Sequence, residues 1–246
     1  MPTRLKNIAH AYPDYKPEET GIIILGDAGI NFYLNKTDKK LKKNISKFGY
    51  TLYCVRGNHE ERPENIATYH LENDTNVGNM VWVEEEFPLI RFFCDGGNYI
   101  IGQHPVLVIG GAYSVDKWYR LQRAAAAGHS FSGWFESEQL TGREMALIEE
   151  NVLGKHFDFV FTHTCPLDWE PRDLFLGCID QTKVDKTMEL FLNQLKDTFD
   201  WNIWCFGHYH ADRIERRNVE QFYYSYDNLN AIWNRWCGNN DFHVDE

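Results

Sequence analysis

The sequence has no hydrophobic run long enough to cross a membrane and no apolar leader segment. A membrane span needs about 18 consecutive apolar residues, and the apolar runs of this chain are much shorter. Residues 1–15, MPTRLKNIAHAYPDY, lack the apolar middle of a signal peptide. We therefore expect no membrane span and a cytoplasmic location.

Positive charge is also scarce. The chain has 25 Lys and Arg residues against 36 Asp and Glu residues, which gives a formal net charge of −11. An extended nucleic-acid surface normally shows a basic stripe, so we expect none here. A small phosphorylated ligand remains compatible with this charge, because a bound metal ion can supply the positive charge locally.

No C-x-x-C pair is present among the six cysteines, which are Cys54, Cys94, Cys165, Cys178, Cys205 and Cys237. Several of them lie in apolar, strand-like runs. This placement favours buried free thiols, and a reducing compartment, over disulfides or a thiolate metal site.

Short β-branched runs alternate with helical segments, which predicts an α/β fold. Residues 21–26, GIIILG, are too few for a helix and predict a buried strand. A helical segment at 39–47 and a strand at 51–55 follow, and this order implies a parallel, right-handed unit. Further strands are predicted at 80–83, 90–94, 99–101, 106–109, 157–161 and 201–206 and within 213–226, with helices at 3–11, 141–152 and 185–197. We predict one domain over residues 1–246, with two sheets and flanking helices.

Four polar clusters come directly after predicted strands. They are GDAGIN at 26–31, GNHE at 57–60, THTCP at 162–166 and GHYH at 207–210. Ligands of open α/β sheets bind at this edge. Each cluster alone is compatible with a turn, a helix cap or a buried imidazole. Four such clusters at strand ends favour a metal site.

The side chains of these clusters offer carboxylate, amide and imidazole donors. Such donors suit Mn²⁺, Fe and Zn²⁺, and we expect Mn²⁺. One carboxylate can bridge two cations through its two oxygens. Asp27 is the carboxylate that directly follows a strand-terminal glycine, so it is the predicted bridge.

The order G-D-x-x-[D/N], G-N-H-[D/E], H and G-H-x-H resembles that of the calcineurin-like metallophosphoesterases, and the resemblance spans residues 26–210. It implies a metallophosphoesterase-like two-sheet sandwich and the hydrolysis of a phosphomonoester or phosphodiester. The ligands that it implies for two metal ions are Asp27 as the bridge, Asn58, His163 and His208 at one site, and His210 at the other.

The resemblance also implies roles for residues that do not bind metal. His59 would act as general acid on the leaving group, while a metal-activated hydroxide attacks phosphorus. Glu60 would keep the His59 imidazole charged; the alternative is a solvated turn residue. Arg62 is a candidate for the substrate phosphate, against the alternative of a surface ion pair.

Two further segments bear on the subgroup. RGNHE at 56–60 is similar to the motif of protein serine/threonine phosphatases, but GDAGINFY at 26–33 stands where those enzymes carry G-D-x-V-D-R-G. That subgroup is therefore disfavoured. ERPENI at 61–66 and GGAYSVDKWYRL at 110–121 resemble segments of small bacterial or phage phosphoesterases.

The family's first motif, D-x-H-G after an opening strand, does not occur before Gly21. We therefore expect the first strand to be absent. One metal site then keeps four candidate ligands and the other keeps two, so the chain should bind one ion well and a second poorly. Instability, weak activity or a homodimer formed through the open sheet edge would each follow.

The leading hypothesis is a metal-dependent phosphoesterase that acts on a small phosphorylated substrate. The alternative is a degenerate, non-catalytic member of the family that binds a phosphorylated ligand or partner. A nuclease is disfavoured by the acidic charge.

Overall fold

The computed structural model describes residues 1–238 of the 246-residue chain. The helices of this part are α1 (Pro2–Ala11), α2 (Lys36–Ser46), α3 (Lys117–Ala127), α4 (Gly142–Val152), α5 (Thr187–Leu195) and α6 (Leu229–Trp236). The strands are β1 (Gly21–Ile24), β2 (Thr51–Cys54), β3 (Tyr69–Asp74), β4 (Asn79–Glu84), β5 (Ile90–Phe93), β6 (Gly97–Ile101), β7 (His104–Ile109), β8 (His156–Thr162), β9 (Asp200–Phe206), β10 (Arg213–Arg216) and β11 (Val219–Gln221). In this part of the chain no helix is long and apolar enough to cross a membrane.

The strands form two mixed sheets. The first has the order β1-β2-β5-β4-β3, with β1, β2 and β5 parallel and the last two strands antiparallel. The second has the order β10-β11-β9-β8-β7-β6, with parallel strands at its centre and antiparallel strands at both edges. The predicted α/β architecture with two sheets is confirmed, as is the parallel pairing of β1 with β2.

Apolar side chains fill three layers between and outside the sheets. Phe93 of the first sheet and Phe159 of the second belong to one buried cluster, which lies between the sheets. Ile45 of α2 packs against the outer face of the first sheet, and Leu192 of α5 packs against the outer face of the second. The molecule is therefore a sandwich of two sheets with helices on both sides.

The N-terminus of α4 shows how sequence fixes a helix boundary. The Thr141 hydroxyl accepts a hydrogen bond from the Glu144 backbone N–H at 3.3 Å, and the Glu144 carboxylate accepts one from the Thr141 N–H at 2.6 Å. This capping box satisfies two N–H groups that the helix leaves unpaired. Such a cap contributes about 1 kcal/mol.

All six cysteines are free thiols, as expected. Cys54, Cys165 and Cys205 are buried, whereas Cys178 and Cys237 are exposed. The expectation of buried thiols therefore holds for these first three, whereas Cys94, directly after β5, is partly buried.

β1 is the open edge of the first sheet. Within residues 1–238 it pairs with β2 on one side, and no strand pairs with its other side. A cavity of about 860 Å³ lies along this free side, between α1, β1 and residues 222–232, and reaches the carboxyl end of β1. The open edge agrees with the expectation that a neighbouring parallel strand is lacking. A single domain over 1–246 stays a prediction.

Candidate metal centre

Four parallel strands end at one place in the sandwich. Asp27 comes after β1 and Asn58 after β2 of the first sheet, while His163 comes after β8 and His208 after β9 of the second. Because the carboxyl ends of parallel strands share one edge, residues far apart in sequence meet there. The structure brings these four predicted ligands together.

The centre of this group is His163. Its Nε2 lies 2.9 Å from Asn58 Oδ1 and 3.5 Å from Asp27 Oδ2. The rings of His163 and His208 are 5.0 Å apart and edge to face. These contacts join side chains from both sheets.

Further hydrogen bonds, made by the other polar atoms of these side chains, orient the donor atoms. His163 Nδ1 lies 2.7 Å from the carbonyl oxygen of Leu25, which can only accept, so Nδ1 carries a hydrogen. The amide nitrogen of Asn58 donates to Ser114 Oγ at 2.9 Å, which turns Asn58 Oδ1 toward His163. Three acceptor atoms therefore face one another, namely His163 Nε2, Asn58 Oδ1 and Asp27 Oδ2. Their lone pairs repel unless a proton sits on Nε2 or a cation lies among them.

The protonation of the group reflects this arrangement. Burial alone would raise the pKa of Asp27, but the His163 imidazole and the His59 backbone N–H hold it well below its usual value. Burial would lower the pKa of His163, but the neighbouring Asp27 outweighs burial, and the pKa is raised. Burial and the neighbouring His163 lower the pKa of His208 to about 3. His208 is thus a neutral imidazole, the form that binds metal ions.

The backbone of the site is held in unusual conformations. The φ angles of Asp27, His208 and His210 are 51°, 67° and 57°. These values lie in the left-handed region, which residues other than glycine rarely adopt. Gly26 has a φ of 95°, and a Cβ there would collide with the His163 ring. Such strain clusters at functional sites.

His210 contacts Tyr223. Its exposed side chain stacks on Tyr223, with ring centroids 4.5 Å apart and planes 18° apart. The Arg4 guanidinium lies 5.3 Å from the centre of the same tyrosine ring. The segment GHYH therefore sends one imidazole toward His163 and the other toward Tyr223.

Within residues 1–238, no three His, Cys, Asp or Glu side chains are spaced to enclose an ion. With the Asn58 amide oxygen, Asp27, His163 and His208 make four candidate donors, and their present spacing does not enclose an ion. By donor type the group fits one divalent cation such as Mn²⁺, Fe or Zn²⁺. A second cation would have Asp27 and His210 as ligands, the two residues that the sequence leaves for it.

A sequence model of the calcineurin-like phosphoesterases matches residues 2–212. The chain belongs to the calcineurin-like phosphoesterase family. The matched part contains both sheets as far as β9 and all four strand-end clusters. Comparison with curated proteins and comparison with solved structures give no significant match.

In this member of the family, His59 lies beside the candidate ligands. Its backbone N–H donates to Asp27 Oδ1 at 3.0 Å, and its side chain lines the cavity. Burial lowers the pKa of His59. Among the described residues, none makes a hydrogen bond with its Nδ1.

Glu60 is completely buried, at 0% exposure, and accepts a hydrogen bond from the Gly57 backbone N–H at 2.8 Å. Burial, with a contribution from Asp27, raises the pKa of Glu60 to about 8. The alternative of a solvated turn residue is therefore wrong. Within residues 1–238 Glu60 makes no hydrogen bond to His59, and its support of that imidazole stays a prediction.

Arg62 is buried, at 6% exposure, and its guanidinium is engaged on all sides. It donates to the carbonyl oxygens of Ser137 and Gln139 at 2.8 and 2.7 Å and to Glu144 Oε1 at 2.5 Å. This arrangement supports the ion-pair interpretation, with the Arg62 side chain buried and 36% of the Glu144 side chain exposed. A role of Arg62 in binding the substrate phosphate stays a prediction.

Sequence reasoning missed Ser114, which orients Asn58. The only signal for it was that the segment 110–121 resembles segments of related phosphoesterases. Arg56 was noted only as part of a motif, yet it is a structural residue, 2% exposed and bonded to Asp95 at 3.0 Å and to the Glu138 carbonyl oxygen at 2.9 Å.

Proposed function

We propose that this chain is a metal-dependent phosphoesterase that hydrolyses a small phosphomonoester or phosphodiester. Membership of the family supports the reaction class. The observation that carries the proposal is that the acceptor atoms of Asp27, Asn58 and His163 face one another beside His59 at the end of a cavity.

The residues proposed to hold a divalent ion are Asp27, Asn58, His163 and His208. When bound, such an ion lowers the pKa of a water molecule and neutralises charge on the phosphate. Mn²⁺ is the proposed ion, with Fe or Zn²⁺ as alternatives. His210 is proposed for a second, weaker site.

The protein's own residues prepare this site before any ligand arrives. The Leu25 carbonyl fixes the tautomer of His163, and Ser114 fixes the rotamer of Asn58. Contacts of this kind orient metal ligands, and removing one typically lowers metal affinity about 10–100-fold. His59, which does not belong to the ligand set, is proposed to give a proton to the departing oxygen.

The second candidate function is a non-catalytic binder of a phosphorylated ligand. The open edge of β1 favours it, because within residues 1–238 no strand next to β1 adds ligands to the second site. Its expected behaviour is metal and phosphate binding without turnover.

The test begins with metal content. Elemental analysis after Mn²⁺ loading and removal of free ion should give about one ion per chain, from the ligand count above. Hydrolysis of p-nitrophenyl phosphate and of its bis-ester should then depend on Mn²⁺. His59→Ala should lower kcat about 10²–10⁴-fold with the metal content unchanged, whereas His163→Ala should lower both.

The matched control is His70→Ala, an exposed imidazole on β3 at the opposite edge of the first sheet from β1. It should change neither metal content nor activity. Activity that survives both His59→Ala and His163→Ala rejects the assignment. Metal binding without turnover of either ester favours the non-catalytic alternative.

A further inference from the structure

The turn that carries His208 and His210 is strained, so something must hold it. The Tyr209 backbone N–H donates to the Gly207 carbonyl oxygen at 2.8 Å, which closes a three-residue turn around His208 with a φ of 67°. Turns of this sense are rare. A non-glycine residue in this region costs about 1–3 kcal/mol and persists only when its surroundings over-determine it.

The side chain of Tyr209 provides that constraint. Its ring packs against Phe175 and Phe206, with centroids 6.3 and 6.2 Å away. Its hydroxyl lies 3.0 Å from Thr164 Oγ1, and Thr164 Oγ1 donates to Glu189 Oε1 at 2.6 Å. Because the threonine hydroxyl has one hydrogen, the Tyr209 hydroxyl is the donor to Thr164.

These bonds form a chain from Tyr209 through Thr164 to Glu189 that is shielded from water. Thr164 and Glu189 are 0% and 3% exposed. Hydrogen bonds in such surroundings are strong, and a linked series of them specifies one arrangement. The chain joins the turn after β9, the turn after β8 and helix α5.

The members of this hydrogen-bond chain are neighbours in sequence of the candidate histidines. Thr164 directly follows His163, and Tyr209 stands between His208 and His210. We propose that the Tyr209–Thr164–Glu189 chain is a positioning device that sets the spacing of these three imidazoles for metal binding. The three residues bind no ion themselves, and the inference rests on the proposed function.

The test removes one atom. Tyr209→Phe deletes the hydroxyl and keeps the ring. The Kd for Mn²⁺, measured by calorimetry, should rise about 10-fold or more. Without metal, hydrogen exchange of the backbone amides of residues 207–210 should become at least about tenfold faster, because the turn loses its constraint.

Two further variants separate positioning from general damage. Thr164→Ser keeps a hydroxyl and should retain the wild-type Kd and exchange rates. Tyr53→Phe removes another tyrosine hydroxyl, one that donates to Asp74 Oδ2 at 2.8 Å on the first sheet. It should leave the Kd for Mn²⁺ and the exchange rates of the amides of residues 207–210 unchanged.

Wild-type values of Kd and of exchange in Tyr209→Phe overturn the inference, as does an equal change in Tyr53→Phe. A wild-type protein that binds no Mn²⁺ rejects the proposed function instead. In that case the exchange rates of Tyr209→Phe still decide whether the hydroxyl holds the turn.

Discussion

Replacement of Arg56 tests whether the loop that carries Asn58 and His59 is held by a buried ion pair. Arg56 Nε donates to Asp95 Oδ2 at 3.0 Å, and Nη2 lies 2.9 Å from the same oxygen. Nη1 donates to the Glu138 carbonyl oxygen at 2.9 Å. With 2% of Arg56 exposed, water cannot replace these bonds.

The magnitude follows from this burial. Arg56→Met leaves the Asp95 carboxylate without its cation and a buried carbonyl without its donor. Removing one partner of a buried pair costs about 3–5 kcal/mol, a large share of the 5–15 kcal/mol that is typical of total stability. Arg56→Lys keeps the charge but loses the fork of donors, so about 1–3 kcal/mol is expected.

The assay is urea unfolding followed by tryptophan fluorescence, with the free energy of unfolding taken from the midpoint and the slope. The double variant Arg56→Met/Asp95→Asn removes both charges. It keeps an acceptor for the Gly110 N–H, which in the wild-type protein donates to Asp95 Oδ1 at 2.6 Å. It should recover part of the loss. Arg143→Met, an exposed arginine on α4, is the control, with a change below about 0.5 kcal/mol. A cost below about 1 kcal/mol for Arg56→Met refutes the reasoning.

Gly26→Ala should destabilise the fold by about 2–5 kcal/mol in urea unfolding and lower Mn²⁺ affinity, because the added Cβ combines a left-handed backbone with a collision against His163. Asp158 should stabilise the protein in a pH-dependent way. Burial would raise its pKa, but His104 at 2.7 Å and the Asn202 amide at 2.9 Å lower it. Its contribution is present above the unfolded-state pKa, which is about 3.9, and is lost as the pH falls through that value and then through the lower folded-state pKa. The stability difference between wild type and Asp158→Asn, from urea unfolding at several pH values, should shrink over that range.

Gly102→Ala is the control for Gly26→Ala, because Gly102 also has a positive φ, of 57°, but nothing lies within 4 Å of an added Cβ. Its cost should be about 1–2 kcal/mol, from backbone strain alone. Equal costs at the two glycines would contradict the collision argument. A pH-independent difference for Asp158→Asn would contradict the lowered pKa of Asp158.

The fold was predictable where the local pattern and the burial agree. Buried strands such as β2 and β8 are rich in apolar residues, and the capping box marks the start of α4. β3 was missed because its sequence, YHLEND, has four exposed residues between two buried ones, so it lacks an apolar run. The pairing order of the strands depends on long-range contacts that no local pattern contains.

The candidate site was also predictable from the sequence only in part. Glycines and polar residues after strands indicated the residues that meet at the sheet edge. The direction of each side chain was not predictable, because it depends on distant partners. Tyr223 holds the ring of His210, Ser137 and Glu144 enclose Arg62, and the buried position of Glu60 follows from the packing of the whole loop.

The candidate ligands come in equal number from the two sheets, Asp27 and Asn58 from the first and His163 and His208 from the second. An ion held by all four would act as a crosslink at one end of the sandwich. Its binding energy would then oppose separation of the sheets, adding about 2.7 kcal/mol to the stability at a free ion concentration one hundred times Kd. Metal supply would set the melting temperature of this protein as well as its activity.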